Sequence, residues 1–597
     1  MLQVRRLVTS RMWKPSLSVG AWALGICIPF YIKDPFFLHV LNIIFIGITM
    51  ALSWGILART GYISFASNAF LGIGAYTSAY LVMQLHIYYW IGYFAAGAMA
   101  GFFALFLGKI ILRLKGIFFV LSTFCFAQIM LRVFRTAEHI TKGADGITGI
   151  PTPILPFIGS LESHAQFYVL FYVYATFVVI FTMRLYNSNI GREFKAIGED
   201  MFVAESMGID TTRRKIIAFV ISSIITGLSG SFHAHYTSFI SDTTFEMTKS
   251  IEVMAYNVVG GMGSIIGPII GVCVMVPLPE FLRGFVAYQI ALYGLILILI
   301  LRFFPAGIWG TIRRAHSTIP AESKSLRLSY ELTKEFKLGF GNPIRHNRET
   351  LLECRKISRY FGGLAALTDI SFSIRAGEIL GIVGPNGAGK STLFNVITKV
   401  LSPTRGTIIF EGKNITGLRP HRINRMGIAR VFQSKVLYPE ASVKENIVRA
   451  IVARSGFNEI KDFFGLERRK HQVILEQTQQ VLELCGLYSA TGELPKNLPH
   501  GFQRLVGLAV ALATKPKLLL LDEPITGMSL EESDIIARIL ENLHQSGLTI
   551  IMVEHNVNFV MRICHRIMVL DYGQKIAEGT PQEIRRNPEV IKAFLGG

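Results

Sequence analysis

At 597 residues, with 51% hydrophobic and only 17% charged side chains and a mean hydropathy of +0.44, the composition leans to a membrane protein. The formal net charge of +20 does not mark a nucleic-acid binder, because no motif interleaves the basic residues with aromatics; inner-loop lysine and arginine and contact with anionic membrane lipid account for it. The six cysteines, Cys27, Cys125, Cys273, Cys354, Cys485 and Cys564, have no metal-binding spacing and are expected as reduced thiols.

In chain order, Arg5, Arg6, Arg11 and Lys14 make residues 1–16 a basic segment that the positive-inside rule places in the cytoplasm. The following stretch reads as a retained span, not a cleaved signal. Apolar runs of about 20 residues predict spans near 17–33, 37–57, 61–84, 90–112, 117–135, 166–186, 216–236 and 286–303. Arg59, then Arg113 with Lys115, then Arg192, Lys195, Arg213, Arg214 and Lys215 mark inner loops and leave 136–165 and 237–250 outside. Gly72, Gly74, Ala75 and Ser78 read as helix-packing positions. Asn68, Glu252 and Asn257, polar and in or near the membrane, must be paired or line a wet path. His233 and His235, at an outer helix end, are expected to face water. A further apolar, Gly-rich stretch runs from 251 to 281, and residues 305–349 form a polar cytoplasmic linker.

The C-terminal part changes character. Gly384-Pro385-Asn386-Gly387-Ala388-Gly389-Lys390-Ser391-Thr392 fits the phosphate-binding loop in full, with an apolar strand before it and helical spacing after it. Backbone N–H groups of such a loop cradle phosphates, Lys390 reaches the β- and γ-phosphates of ATP, and the Ser391 hydroxyl holds Mg²⁺. Leu518-Leu-Leu-Leu-Asp522-Glu523 is a buried strand ending in two carboxylates: Asp522 for Mg²⁺ and Glu523 for the attacking water. A cytoplasmic ATPase requires an even number of crossings. The 251–281 stretch is therefore expected to be a hairpin or re-entrant pair broken at Gly260–Gly263 and Gly267-Pro268, the alternative being one long helix. The fold class is multi-domain: a polytopic α-helical membrane domain (17–304), the linker, and an α/β P-loop ATPase domain (350–597).

On these residues the C-terminal part resembles the ATP-binding cassette family. The resemblance implies that Gln433, in Arg430-Val-Phe-Gln433, senses Mg²⁺ and the attacking water. It implies that His555, in Val553-Glu-His555, contacts the γ-phosphate, and that Phe361 (with Tyr360 as the near alternative) stacks on adenine. The signature region departs from the family: Leu498-Pro499-His500-Gly501-Phe502-Gln503-Arg504 replaces Leu-Ser-Gly-Gly-Gln, keeping Gly501 at a helix N-terminus that can face an anion. Restoring Ser and Gln at 499 and 502 is expected to strengthen the site completed on a partner. The loop after Glu523 has Ser529 where aspartate is common.

The membrane part resembles the permeases of branched-chain amino acid importers. The matching runs are Gly61-Tyr-Ile-Ser-Phe-Ala-Ser-Asn-Ala-Phe70, Lys115-Gly116-Ile-Phe-Phe, Thr141-Lys-Gly-Ala-Asp-Gly-Ile-Thr-Gly-Ile-Pro151, Val258–Pro268, Leu292–Leu295 and Pro305–Gly307. The inner loop Gly191–Gly208 resembles the coupling helix of importers, which docks near the Gln433 loop. The resemblance implies an ATP-driven importer subunit in the bacterial inner membrane. Its implied partners are a second permease, a second ATPase and a periplasmic solute-binding protein. Homodimer and hetero-assembly both stay open, as do urea, short amides or small aromatic carboxylates as solutes; a half-size exporter is the competing class. The run Ile63–Asn68, more polar-aromatic than the relatives' small residues, is a reason to consider another solute.

Overall fold

The computed structural model describes residues 25–114, 116–155, 159–282, 288–316, 349–431, 438–456, 459–464 and 466–595. The chain forms two compact units. One takes the chain up to Asn187 and resumes at Thr212; the other joins Ser188–Thr211 to the C-terminal ATPase part.

In the membrane unit, six helical stretches among the described residues are long and apolar enough to cross a bilayer: Pro35–Ala58, Tyr89–Ile111, Ile117–Thr136, His164–Asn187, Thr211–Thr237 and Ala291–Arg313. These coincide with six of the expected spans. In the last, helix Gln289–Phe303 breaks around Pro305 before helix Gly307–His316. Of the expected 17–33 span, residues 25–31 are helical and the part before 25 lies outside the described residues.

The expected 61–84 span is corrected. Only Ser67–Met83 is helical, and Gly61–Ala66 is irregular. Irregular backbone among apolar helices survives only where neighbours satisfy its polar groups, and here they do. Trp54 Nε1 donates to Ser64 O at 2.9 Å, Phe65 N donates to Thr123 Oγ1 at 3.1 Å, and Ser250 Oγ donates to Phe65 O at 2.9 Å.

The 251–281 stretch is a hairpin, as expected. Helix Met247–Gly260 turns at Gly261, whose φ of 109° excludes one continuous helix, and the chain returns as Ile266–Met275 and Pro277–Phe281. A Cβ on Gly260 would lie 1.8 Å from Gly267 O, and one on Gly271 1.9 Å from Tyr256 O. The outgoing limb of 14 residues rises about 21 Å at about 1.5 Å per residue, short of a hydrocarbon core of about 30 Å.

Asn68 and Glu252 are internally paired, and Asn257 is paired through its amide nitrogen, its buried Oδ1 having no hydrogen-bond partner among the described residues. Asn68 Nδ2 donates to Phe245 O at 2.8 Å and its Oδ1 accepts from Ser250 Oγ at 2.8 Å. Asn257 Nδ2 donates to Ala51 O and Val253 O, and Glu252 accepts from Tyr256 and Lys249. The expectation that His235 faces water is wrong. It is fully buried, with Nε2 2.9 Å from Ser78 Oγ and Nδ1 2.6 Å from Pro151 O; His233 is half-buried. Helix 67–83 touches helix 211–237 backbone to backbone, since a Cβ on Gly74 would stand 2.0 Å from Gly227 O.

The ATPase unit holds a six-stranded sheet in the order Ile428–Val431, Leu518–Asp522, Thr549–Val553, Ile379–Val383, Arg566–Asp571, Gln574–Gly579, parallel except at the last pair. Every residue of the Leu518–Asp522, Thr549–Val553 and Ile379–Val383 strands is buried, as both faces of a parallel sheet require. A four-stranded antiparallel sheet, Leu364–Arg375, Thr350–Phe361, Arg405–Phe410 and Lys413–Asn414, completes the unit.

Substituting Gly74→Ala forces the two backbones apart, an overpacking that costs about 1–3 kcal/mol. Its thermal-unfolding midpoint in detergent should fall about 2 °C or more below that of Gly294→Ala, whose added methyl meets nothing within 4 Å. Equal midpoints would show that the helices separate at no cost.

Candidate ATP-hydrolysis site

The P-loop leaves strand Ile379–Val383 and enters helix Lys390–Ile397. Gly389 caps that helix at φ 94°, and a Cβ there would lie 2.6 Å from Ala366 O, so the sharp turn needs glycine. Lys390 is buried, and its Nζ donates to the Gly384 and Pro385 carbonyls at 2.8 Å each. Burial pushes its pKa down, while Glu523 and Asp522 pull it up. Asn386, Gly387 and Ser391 are exposed, Pro385, Gly389 and Thr392 half-buried, and Ala388 buried. Phe361 ends strand Thr350–Phe361 and is exposed, with the Arg359 guanidinium 4.7 Å from its ring centre; Tyr360 beside it is exposed too.

Parallel register brings the carboxylates to the P-loop. Asp522 is opposite Val553 in the adjoining strand, and Val553 is opposite Ile382 in the P-loop strand. The three strands therefore end at one level, where an open α/β sheet builds its site. Asp522 Oδ2 accepts from Arg430 at 2.7 Å, and Asp522 Oδ1, also buried, has no hydrogen-bond partner among the described residues. A bare carboxylate oxygen within electrostatic reach of Lys390 suits a hard cation or its water. Glu523 takes φ 50°, a left-handed conformation costing a non-glycine residue about 1–3 kcal/mol. Its N–H donates to Val553 O at 2.9 Å, its Oε1 lies 2.9 Å from His555 Nε2, and Thr526 Oγ1 donates to its Oε2 at 3.3 Å.

The structure thus brings together Gly384–Thr392, Asp522, Glu523 and His555. Gln433 lies outside the described residues. Two participants escaped the sequence reading although both stood inside quoted motifs. Arg430, in a buried strand, neutralises Asp522 and also donates to Asn395 Oδ1 at 2.6 Å; burial lowers its pKa and Asp522 raises it. Glu554, 2% exposed, accepts backbone hydrogen bonds from both sides of the site. Charged residues on or beside otherwise apolar strands were the available signal.

The signature region differs from expectation. Gly501 is buried near the N-terminus of helix His500–Ala513, which Pro499 caps without a side-chain bond. Phe502 is 1% exposed and belongs to the hydrophobic core with Leu505, Val506 and Ile525. It does not project towards a nucleotide, so glutamine at 502 would bury an amide and not restore a contact. Glu532, fixed by a capping box with Ser529, sets its carboxylate against Gly501.

Segment Ser188–Thr211 packs into the ATPase unit, as the coupling-helix resemblance implies. Ala196, Ile197, Val203, Ala204, Met207 and Ile209 join the ATPase core. Asn189 N donates to Asp462 Oδ2 at 2.9 Å, Arg449 pairs with Glu199 at 2.9 Å, and Arg425 Nε donates to Gly208 O at 3.0 Å.

Family comparison agrees with both parts. Residues 36–301 match the branched-chain amino acid transport system permease component, 367–526 the ABC transporter domain, and 574–597 the branched-chain amino acid ATP-binding cassette transporter C-terminal region. The high-affinity branched-chain amino acid transport ATP-binding protein LivG of Salmonella typhimurium is 37% identical over 42% of this chain and 98% of its own length. BraF of Pseudomonas aeruginosa, which carries the same description, is 34% identical over 41% and 98%. A nucleotide-free ATP-binding cassette from an ABC transporter aligns over 42% of this chain and 100% of that one, at 30% identity and a TM-score of 0.37. The chain belongs to the ABC transporter family, as a permease component of the branched-chain amino acid type and an ATP-binding cassette joined in one polypeptide.

Proposed function

We propose that this chain is the fused permease and ATPase of an importer for branched-chain amino acids, driven by ATP hydrolysis. The observation that carries the reading is the docked segment Ser188–Thr211: a loop between two membrane helices contributes core residues to the ATPase unit. The relatives' transport function supplies the solute. The departure at Ile63–Asn68 does not argue for another solute, because Ser64, Phe65 and Asn68 spend their polar groups on internal hydrogen bonds.

In this reading residues 1–16 are a cytoplasmic segment, 17–304 the permease, 305–349 a linker and 350–597 the ATPase, in a bacterial inner membrane. Gly384 to Thr392 hold the phosphates of ATP, and Phe361 stacks on adenine. Ser391, Gln433 and Asp522 hold Mg²⁺, which when bound offsets phosphate charge. Glu523 orients and polarises the attacking water, His555 fixes the Glu523 carboxylate, and Gln433 reports on the site. The strained backbone of Glu523 accompanies a side chain that meets the exposed His555 at 2.9 Å.

A working importer pairs two permeases with two ATPases and takes solute from a periplasmic binding protein. We assign the second permease and ATPase to other chains. Here Pro499 offers no hydroxyl, Phe502 is core, and Glu532 puts negative charge against Gly501, where a partner's γ-phosphate would come. Such a signature serves a slow site.

Lys390→Ala is expected to abolish ATP hydrolysis and solute uptake. Glu523→Gln should keep nucleotide affinity and lose turnover by orders of magnitude, because positioning and electrostatics carry phosphoryl transfer. Wild-type turnover by purified Glu523→Gln protein would refute the role of that residue. Phe502→Gln should destabilise the ATPase by about 3–5 kcal/mol, as core truncations of phenylalanine do, with no gain in hydrolysis. A stable, faster Phe502→Gln protein would place that side chain at the nucleotide after all.

A further inference from the structure

The geometry points to Glu554 as a positioning residue for ATP hydrolysis: a buried carboxylate clamp that holds the Glu523 loop and the His555 loop at their working separation. This rests on the roles given above to Glu523 and His555.

Glu554 leaves the end of the fully buried strand Thr549–Val553 and is itself 2% exposed. Its two oxygens divide their partners between two loops. Oε1 accepts from Ile525 N at 3.0 Å, two residues beyond Glu523. Oε2 accepts from His555 N at 2.9 Å and Asn556 N at 3.4 Å. All three donors are backbone groups that no strand ladder satisfies, so the carboxylate does for these loops what a ladder does for strands. Across the same gap, His555 Nε2 and Glu523 Oε1 stand 2.9 Å apart. That separation is held from behind by the carboxylate and from the side by Glu523 N donating to Val553 O.

The arrangement is electrostatically expensive, which argues against Glu554 as mere filling. Burial raises its pKa, the three N–H bonds lower it, and the neighbouring Glu523 raises it again. Arg504, on the signature helix, is a cation within electrostatic reach of Glu523, Glu554 and Asp522 together. A neutral or apolar side chain would fill the space without that repulsion. Only a group with two acceptor oxygens can bridge N–H donors on both loops. Glutamine has the shape and one acceptor, but its NH₂ would meet an N–H donor, so one side of the clamp opens. Aspartate can still serve the local His555 and Asn556 donors but is too short for Ile525.

The test uses the full-length chain in nanodiscs, co-purified with the second permease and ATPase assigned to it above, reading basal ATP hydrolysis and fluorescent-nucleotide affinity. Glu554→Gln should lower kcat by about 10-fold to 100-fold, the range in which small misplacements of reacting groups act. KM for ATP and nucleotide affinity should stay within about two-fold of wild type, as loss of an effect exerted only on the reacting geometry requires. In a His555→Ala background the same substitution should cost almost nothing further, because residues acting as one unit are not additive. Should Glu554→Gln not fold, Glu554→Asp carries the same measurement, with a smaller fall in kcat. Unchanged kcat, a fall shared equally by nucleotide affinity, or a full additive loss in the His555→Ala background would each overturn the proposal. Full turnover by His555→Ala alone would instead refute the underlying assignment of His555.

Discussion

The common level at which three buried parallel strands end is the constraint on which the ATPase depends. Ile382, Val553 and Asp522 stand side by side in register, and each chain turns out of the sheet within two residues. The P-loop, the Glu523 loop and the His555 loop therefore emerge next to one another. A shift of one residue in any strand would turn its side chains to the opposite face and carry Asp522 or His555 away from the P-loop. The side chains of these strands are nearly all aliphatic and fully buried, so the alignment is fixed by packing on both faces and by the backbone ladder together. The polar work is left to the residues that follow.

Those residues form a graded series. Asp522 keeps one oxygen for Arg430 and leaves the other bare. Glu523 accepts an uncommon backbone conformation in return for pointing at His555. Glu554 spends every acceptor on main chain. Moving away from the P-loop, the carboxylates pass from one that leaves an oxygen bare to one wholly committed to the main chain. The membrane unit uses the same rule in another solvent. Where Gly61–Ala66 abandons helix, Trp54, Thr123 and Ser250 come from three other helices to satisfy it. Where helices touch without side chains, glycine permits it, at Gly74 against Gly227 and at Gly260 against Gly267.

What the sequence made legible was local. The P-loop, the strand ending in Asp522 and Glu523, and the break at Gly260–Gly263 are each written in a few adjacent residues, and the long apolar helices in a run of composition. What stayed hidden depended on partners far along the chain. Arg430 meets Asp522 across 92 residues, and His235 meets Ser78 across 157. Nothing near His235 tells that Ser78 and the Pro151 carbonyl will enclose it, so an outer-end histidine reads as solvated. Span 61–84 misled for a related reason: hydropathy registers the apolar side chains of Gly61–Ala66 and is blind to hydrogen bonds arriving from elsewhere.

The signature helix shows how the same limit bears on assembly. Comparison by position sets Phe502 against a glutamine and suggests a lost contact. In space the residue is a core side chain packed among Leu505, Val506 and Ile525, and the helix is anchored by it. Gly501 meanwhile has the Glu532 carboxylate against it, and that carboxylate is committed to the cap of its own helix through Ser529 N. A helix N-terminus attracts an anion through its unpaired N–H groups and dipole, but a fixed carboxylate beside it opposes a second negative charge. The local structure has therefore settled the signature in favour of the stability of its own fold. In the assembly proposed above, a chain whose P-loop, Asp522 and Glu523 are intact but whose signature is turned inward is matched by an unlike ATPase, whose own signature would complete this P-loop where a copy of this chain brings Pro499 and the Glu532 carboxylate.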